Sequence, residues 1–106
     1  MIIWLNGAYG SGKTTIAELL NKAIVPSWIY DPEAIGDFFG ANLPQEIQAD
    51  DFQNYPEWQS WNIQMLQKLD KEYAGDVIVP MTLHTKVYFE EIFTALESRE
   101  IGELHT

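Results

Sequence analysis

The chain has 106 residues, 46% of them hydrophobic, with six Lys plus Arg against sixteen Asp plus Glu and a formal net charge of −10. That length suits one small domain with enough apolar material to build a core, and the composition excludes a wholly disordered chain. The acidic balance excludes nucleic acid as a partner, because a basic face is needed to neutralise phosphates, and it disfavours anionic lipid surfaces on the same ground.

Ile2–Asn6 is a short apolar run stopped by glycine, the pattern of a strand covered on both faces in a parallel sheet. Gly7, Gly10 and Gly12 follow, which is loop chemistry. Over Lys13–Ala23, apolar residues at Ile16, Ala17, Leu19, Leu20 and Ala23 mark one buried helical face, broken by Pro26 and Ser27. Residues 28–30 read as a second strand ending at Asp31. Pro32 then suits the first turn of a helix over 33–39, with Asp31 as its cap and Gly40 as its end.

Residues 41–54 read as loop or broken helix. A longer helix is expected over 53–73, with Trp58, Trp61, Ile63, Met65, Leu66 and Leu69 at roughly helical intervals, Pro56 near its start and Gly75 closing it. Val77, Ile78 and Val79 give a third buried strand over 76–81. Residues 87–98 read as a further helix, with Tyr88, Ile92, Phe93 and Leu96 on one face, and 101–106 begin a fourth strand. The order β-α-β-α-α-β-α-β predicts an α/β sheet of parallel strands joined by right-handed crossovers, in one domain over 1–106 with no linker.

Gly7-Ala8-Tyr9-Gly10-Ser11-Gly12-Lys13-Thr14 matches G-x-x-x-x-G-K-[ST] at every fixed position. Glycines let backbone N–H groups turn inward around phosphate oxygens without side-chain clashes. The helix that follows, with Thr15 in its first turn, points its positive end at the same anion. In this chemistry Lys13 reaches the β and γ phosphates of ATP and the Thr14 hydroxyl is a ligand for phosphate-bound Mg²⁺. With glycine near ~7% of residues, chance supplies such a match in a chain this long well under ~1% of the time. The strand before it and the helix after it are the context that the mechanism requires. The competing reading is a glycine-rich structural turn with an incidental lysine. The spacing G-x-G-x-x-G of a dinucleotide fold is absent.

Asp31 is the second candidate. Ligands of open α/β sheets bind outside the carboxyl ends of the strands, so a carboxylate after the second strand faces the same crevice as Lys13. There it can accept the proton of an acceptor hydroxyl or hold Mg²⁺ through water. A plain helix N-cap is the alternative for Asp31, and Glu33 is a weaker candidate for the same chemistry. The third strand ends Val79-Pro80-Met81-Thr82 with no carboxylate, which throws the acid–base work onto Asp31 and argues against a motor ATPase. Phe38, Phe39, Gln45, Gln53, Tyr55, Trp58, Trp61 and Asn62 could line an acceptor pocket. Ordinary core packing is the competing reading, favoured for Phe39 and Trp61. His84 and His105 have no partners in the sequence that suggest a metal site.

The chain has no cysteine, so disulfide and thiolate metal sites are excluded and a reducing compartment fits. The N-terminal apolar run is too short for a signal peptide or a membrane span and lacks a basic lead-in. A soluble cytoplasmic protein is expected.

Several blocks together carry a family resemblance: the stretch from Met1 to Thr14, then Tyr30-Asp31-Pro32-Glu33, Pro44-Gln45-Glu46-Ile47, Asp50-Asp51-Phe52-Gln53, Tyr55-Pro56-Glu57-Trp58 and Ile78-Val79-Pro80-Met81-Thr82. Over nearly the whole chain they resemble the tunicamycin-resistance protein family of bacterial ATP-binding proteins. The resemblance implies a three-layer P-loop NTPase fold of the nucleotide-kinase kind with a parallel sheet, and ATP bound at Gly7 to Thr14. It also implies an association with resistance to a nucleoside antibiotic, by phosphoryl transfer to a small-molecule hydroxyl or by binding the drug. Related antibiotic kinases, such as chloramphenicol phosphotransferases, use an aspartate after the second strand as base, a position that Asp31 matches. Family members are longer, so the chain is expected to be incomplete at the C-terminus. It would then lack the lid arginines, which Arg99 does not replace, and leave a sheet edge open to a partner or to a homo-oligomer contact.

Overall fold

The computed structural model describes residues 1–6, 12–81, 94 and 101–105. Its strands are β1 (Ile2–Asn6), β2 (Ser27–Ile29), β3 (Asp76–Pro80) and β4 (Ile101–His105), and its helices are α1 (Lys13–Ala23), α2 (Glu33–Asn42) and α3 (Pro56–Glu72). Two 3₁₀ turns, Gln45–Ile47 and Phe52–Asn54, join α2 to α3. The helix expected over 87–98 lies outside the described residues.

The strands form one sheet in the order β2-β3-β1-β4, with every pairing parallel. Ile3 pairs with Ile78 on one side and Gly102 on the other, and Trp28 pairs with Val77. β1 and β3 are therefore interior strands, as their unbroken apolar sequences require.

Alternation along those strands divides the core in two. Ile2, Trp4, Val77 and Val79 pack with Tyr30, Phe39, Trp58, Leu66 and Met81 beneath α2 and α3. Leu5 and Ile78 face the other way, against Ala17, Ile16 and Leu20 of α1. The result is three layers: α1, sheet, and the pair α2 and α3. Trp4 is fully buried, and its indole N–H donates to the Met81 carbonyl at 2.8 Å, so the largest core side chain leaves no polar atom unpaired.

Element boundaries depart from the sequence expectation, by a single residue at the start of β2 and the ends of α3 and β3, and in three further places for identifiable reasons. α2 runs through Gly40 to Asn42, because Gly40 sits on an exposed helical position and the Leu43 N–H still finds the Phe39 carbonyl at 3.0 Å. α3 starts at Pro56 rather than Gln53, since Phe52–Asn54 closes its own 3₁₀ turn with the Asp51 carboxylate accepting from the Gln53 N–H. β2 ends at Ile29, one residue before Tyr30, whose N–H nevertheless donates to the Ile78 carbonyl at 2.9 Å.

α2 and the second 3₁₀ turn meet at Gly36. A methyl group placed there would collide with Cγ of Phe52, so the ring occupies the space that any side chain would need.

Candidate phosphate-binding cleft

α1 begins at the carboxyl end of β1, and Gly12 makes the turn into it with φ 86° and ψ 20°. That left-handed conformation is costly for any residue with a Cβ. The first turn of α1 has no acidic side chain and no side-chain cap, while Lys22 lies in the last turn. The first turn thus sets no carboxylate of its own against the positive end of the helix, and the negative end is complemented, as suits an anion site.

A cavity of about 620 Å³ opens at this end of the sheet. Gly12, Lys13, Thr14, Ala17 and Glu18 line it from α1, Ile29 and Asp31 from the end of β2, Glu33 from α2, and Pro80 from the end of β3. These four contributions meet at the carboxyl edge of the parallel strands, where ligands of open α/β sheets bind.

Asp31 serves two purposes here. Its Oδ1 accepts from the Glu33 N–H at 2.9 Å and its carbonyl accepts from the Ala34 N–H at 3.3 Å, so it caps α2. The same exposed side chain lines the cavity. The two alternatives open in the sequence are compatible, because a carboxylate has two oxygens and the cap engages one.

Both neighbours of Asp31 are tied to α3. The Tyr30 hydroxyl donates to Asn62 Oδ1 at 2.5 Å, and Asn62 Nδ2 donates to the Trp58 carbonyl at 2.8 Å. The Trp58 indole N–H in turn donates to the Pro32 carbonyl at 3.0 Å. All three side chains are buried, and each of these polar groups is satisfied by another. Burial, reinforced by the neighbouring Asp31 charge, pushes the Tyr30 phenol well above its ordinary pKa, so it stays a hydrogen-bond donor.

The cavity brings together Gly12, Lys13, Thr14, Asp31 and Glu33. Thr15 is exposed on α1 and is not part of the lining. Gly7, Ala8, Tyr9, Gly10, Ser11, Thr82 and His84 lie outside the described residues, and His105 is described only as a backbone position of β4.

The amide and aromatic candidates divide differently from the expectation of an acceptor pocket. Gln53, Asn62 and Trp58 are fully buried core residues and do not line the cavity. Tyr55 is half-buried and accepts the Ala49 N–H at 2.7 Å. Phe39 is core, as expected, but Trp61 is 39% exposed, edging onto Phe38 and Phe39. Gln45 is exposed in its 3₁₀ turn.

Sequence reasoning missed Glu18, Ile29 and Pro80. Glu18 was within reach of it, since it lies one helical turn beyond Thr14 on the same face of α1.

The residues present fit a triphosphate and a magnesium ion. A clear helix N-terminus, a glycine in the left-handed region and a lysine suit phosphate oxygens. Among the described residues no group of three or more His, Cys, Asp or Glu side chains is placed to hold a metal. The Thr14 hydroxyl in the lining suits Mg²⁺, which is held by few protein ligands and by the substrate's own phosphates.

No protein-family model matches the chain, and no curated protein matches it in sequence. Solved structures do. The tunicamycin resistance protein of Deinococcus radiodurans superposes with a TM-score of 0.77 at 30% identity, covering 98% of this chain and 59% of that one. A gluconokinase from Sinorhizobium meliloti 1021 gives 0.62 at 16% identity, with 97% and 55% covered. An APS kinase of Mycobacterium tuberculosis in complex with AMPPNP and APS gives 0.55 at 19% identity, with 98% and 59% covered. The chain therefore spans little more than half the length of each of these three proteins. Its parallel sheet, its strand order and these superpositions establish an α/β fold of the P-loop kinase class.

Proposed function

We propose that the chain is the P-loop nucleotide-binding domain of a tunicamycin-resistance-type protein that binds ATP with Mg²⁺ and transfers the γ-phosphoryl group to a hydroxyl of a nucleoside antibiotic. The observation that carries the reading is the single cavity shared by Gly12, Lys13 and Thr14 on one side and Asp31 on the other. It is supported by the similarity to the Deinococcus protein and by the AMPPNP held by the APS kinase of the same fold.

In this mechanism the motif from Gly7 to Thr14 cradles the phosphates, and Lys13 neutralises charge on the β and γ groups. Thr14 would hold Mg²⁺, which would neutralise charge on the transferring phosphates; holding that ion through water is the alternative role of Asp31. Asp31 takes the proton of the acceptor hydroxyl as the new O–P bond forms. The bond between the γ phosphorus and the bridging oxygen breaks, and ADP leaves with that oxygen. Glu18, Asp31 and Glu33 give the cleft mouth a negative field, which favours a neutral or cationic acceptor over an anionic one.

A second reading is ATP-dependent sequestration of the drug without transfer. It is favoured by the commitment of one Asp31 oxygen to the helix cap. Mass spectrometry after incubation with ATP–Mg²⁺ and a panel of nucleosides and nucleoside antibiotics separates the two. Transfer adds one phosphoryl group to the acceptor, whereas sequestration returns it unmodified but bound. If neither happens with any member of the panel, both readings fail.

The acidic, cysteine-free composition supports a cytoplasmic setting, and among the described residues no helix is long and apolar enough to cross a membrane.

A further inference from the structure

We infer that Asn62 and Trp58 of α3 are positioning residues for Asp31, holding the residue on each side of it so that its free carboxylate oxygen points into the cleft. The inference rests on the reading of Asp31 as the proton acceptor. Asp31 itself is exposed, and an exposed side chain on a tight turn has no packing to fix it. The turn is fixed through its neighbours instead. Tyr30 is pinned from below through its hydroxyl to Asn62, and Pro32 through its carbonyl to the Trp58 indole.

Asn62 and Trp58 are four residues apart, on one face of α3, and are joined to each other by the Asn62 Nδ2 bond to the Trp58 carbonyl. Tyr30 also donates its N–H to Ile78 in the central strand β3, so the clamp is referenced to the sheet that carries the cleft. An isolated structural hydrogen bond does not need this arrangement. Two side chains one helical turn apart grip residues i−1 and i+1 around the one carboxylate that lines the cleft from the end of β2. A polar asparagine at the centre of an apolar layer otherwise costs stability relative to a leucine of similar size.

The test compares Tyr30→Phe, Asn62→Leu and the double variant. Each single change leaves one buried polar atom unpaired, whereas the double change removes both partners and regains most of the lost stability. A purely structural pair predicts that the double variant also regains function. The clamp predicts that it does not. In the double variant kcat for phosphoryl transfer stays down by about tenfold or more while KM for ATP is unchanged, because a misplaced catalytic group costs rate rather than nucleotide affinity.

A second readout does not depend on turnover. The amide ¹H shift of Glu33 reports the hydrogen bond that it donates to Asp31 Oδ1. It moves upfield, as that bond loosens, in the double variant and in Trp58→Phe. Wild-type kcat in a double variant of restored stability, or a Glu33 amide shift unchanged in both variants, overturns the clamp. An absence of transfer in the wild type with an amide shift that moves as stated instead overturns the catalytic reading and leaves the clamp standing.

Discussion

Lys13 and Asp31 line one cavity, and the proposed mechanism gives them different work, which substitution separates. Lys13→Ala removes the charge that, in the proposed mechanism, meets the β and γ phosphates. It is expected to lower kcat/KM by about 10²- to 10³-fold, the usual loss on removing one preorganised electrostatic contact. Asp31→Asn is expected to lower transfer by about 10²- to 10⁴-fold, the range of a general base, while ATP binding measured by calorimetry persists. Stability checks the second role of Asp31. Asparagine still accepts from the Glu33 N–H and caps α2, so Asp31→Asn keeps the wild-type denaturation midpoint, whereas Asp31→Ala loses about 1 kcal/mol. That Lys13 and Asp31 meet at one cavity was legible in the sequence, from a motif with a mechanism and from the rule that strand ends meet ligands. The roles of Gln53 and Asn62 were not. A polar amide in a sequence gives no sign that a tyrosine thirty-two positions away in the chain will bury it in partnership.

At the scale of elements, α2 packs closely on the second 3₁₀ turn at Gly36, and small changes tell there. Gly36→Ala puts a methyl against the base of the Phe52 ring and is expected to cost about 1–3 kcal/mol, read from denaturant unfolding. The buried Tyr30 hydroxyl gives a pH signature. Its pKa is raised in the folded chain, so its contribution is fully present below the unfolded value near 10 and is lost as pH rises toward the higher folded value. The wild type is thus expected to lose stability faster than Tyr30→Phe above about pH 10, with unfolding free energies measured side by side. Helix α1 was legible to the residue, because a glycine loop precedes a clean apolar stripe and a proline-containing stretch follows it. The end of α2 was not, because the usual stop signal of a glycine was outweighed by an exposed position where the helix simply continues. The start of α3 was misplaced by three residues, since a 3₁₀ turn capped by Asp51 shares the polarity of a helix start.

For the whole molecule, the fold follows from two unbroken apolar strands that must be covered on both faces. β1 and β3 occupy the middle of the sheet, α1 covers one side and α2 with α3 the other, and the carboxyl edge is left to form the cleft. Superposition on kinases of 16% and 19% identity shows how little of the sequence that architecture needs. The central claim is that the end of α1 binds a nucleoside triphosphate with Mg²⁺. A ligand that binds only the folded chain raises its melting temperature, by an amount that grows with concentration above Kd. The most direct measurement is the thermal unfolding of the chain and of Lys13→Ala, each titrated with ATP–Mg²⁺. A concentration-dependent rise in Tm for the wild type that is lost in Lys13→Ala is the predicted result. No rise in the wild type, or an equal rise in both, would contradict it.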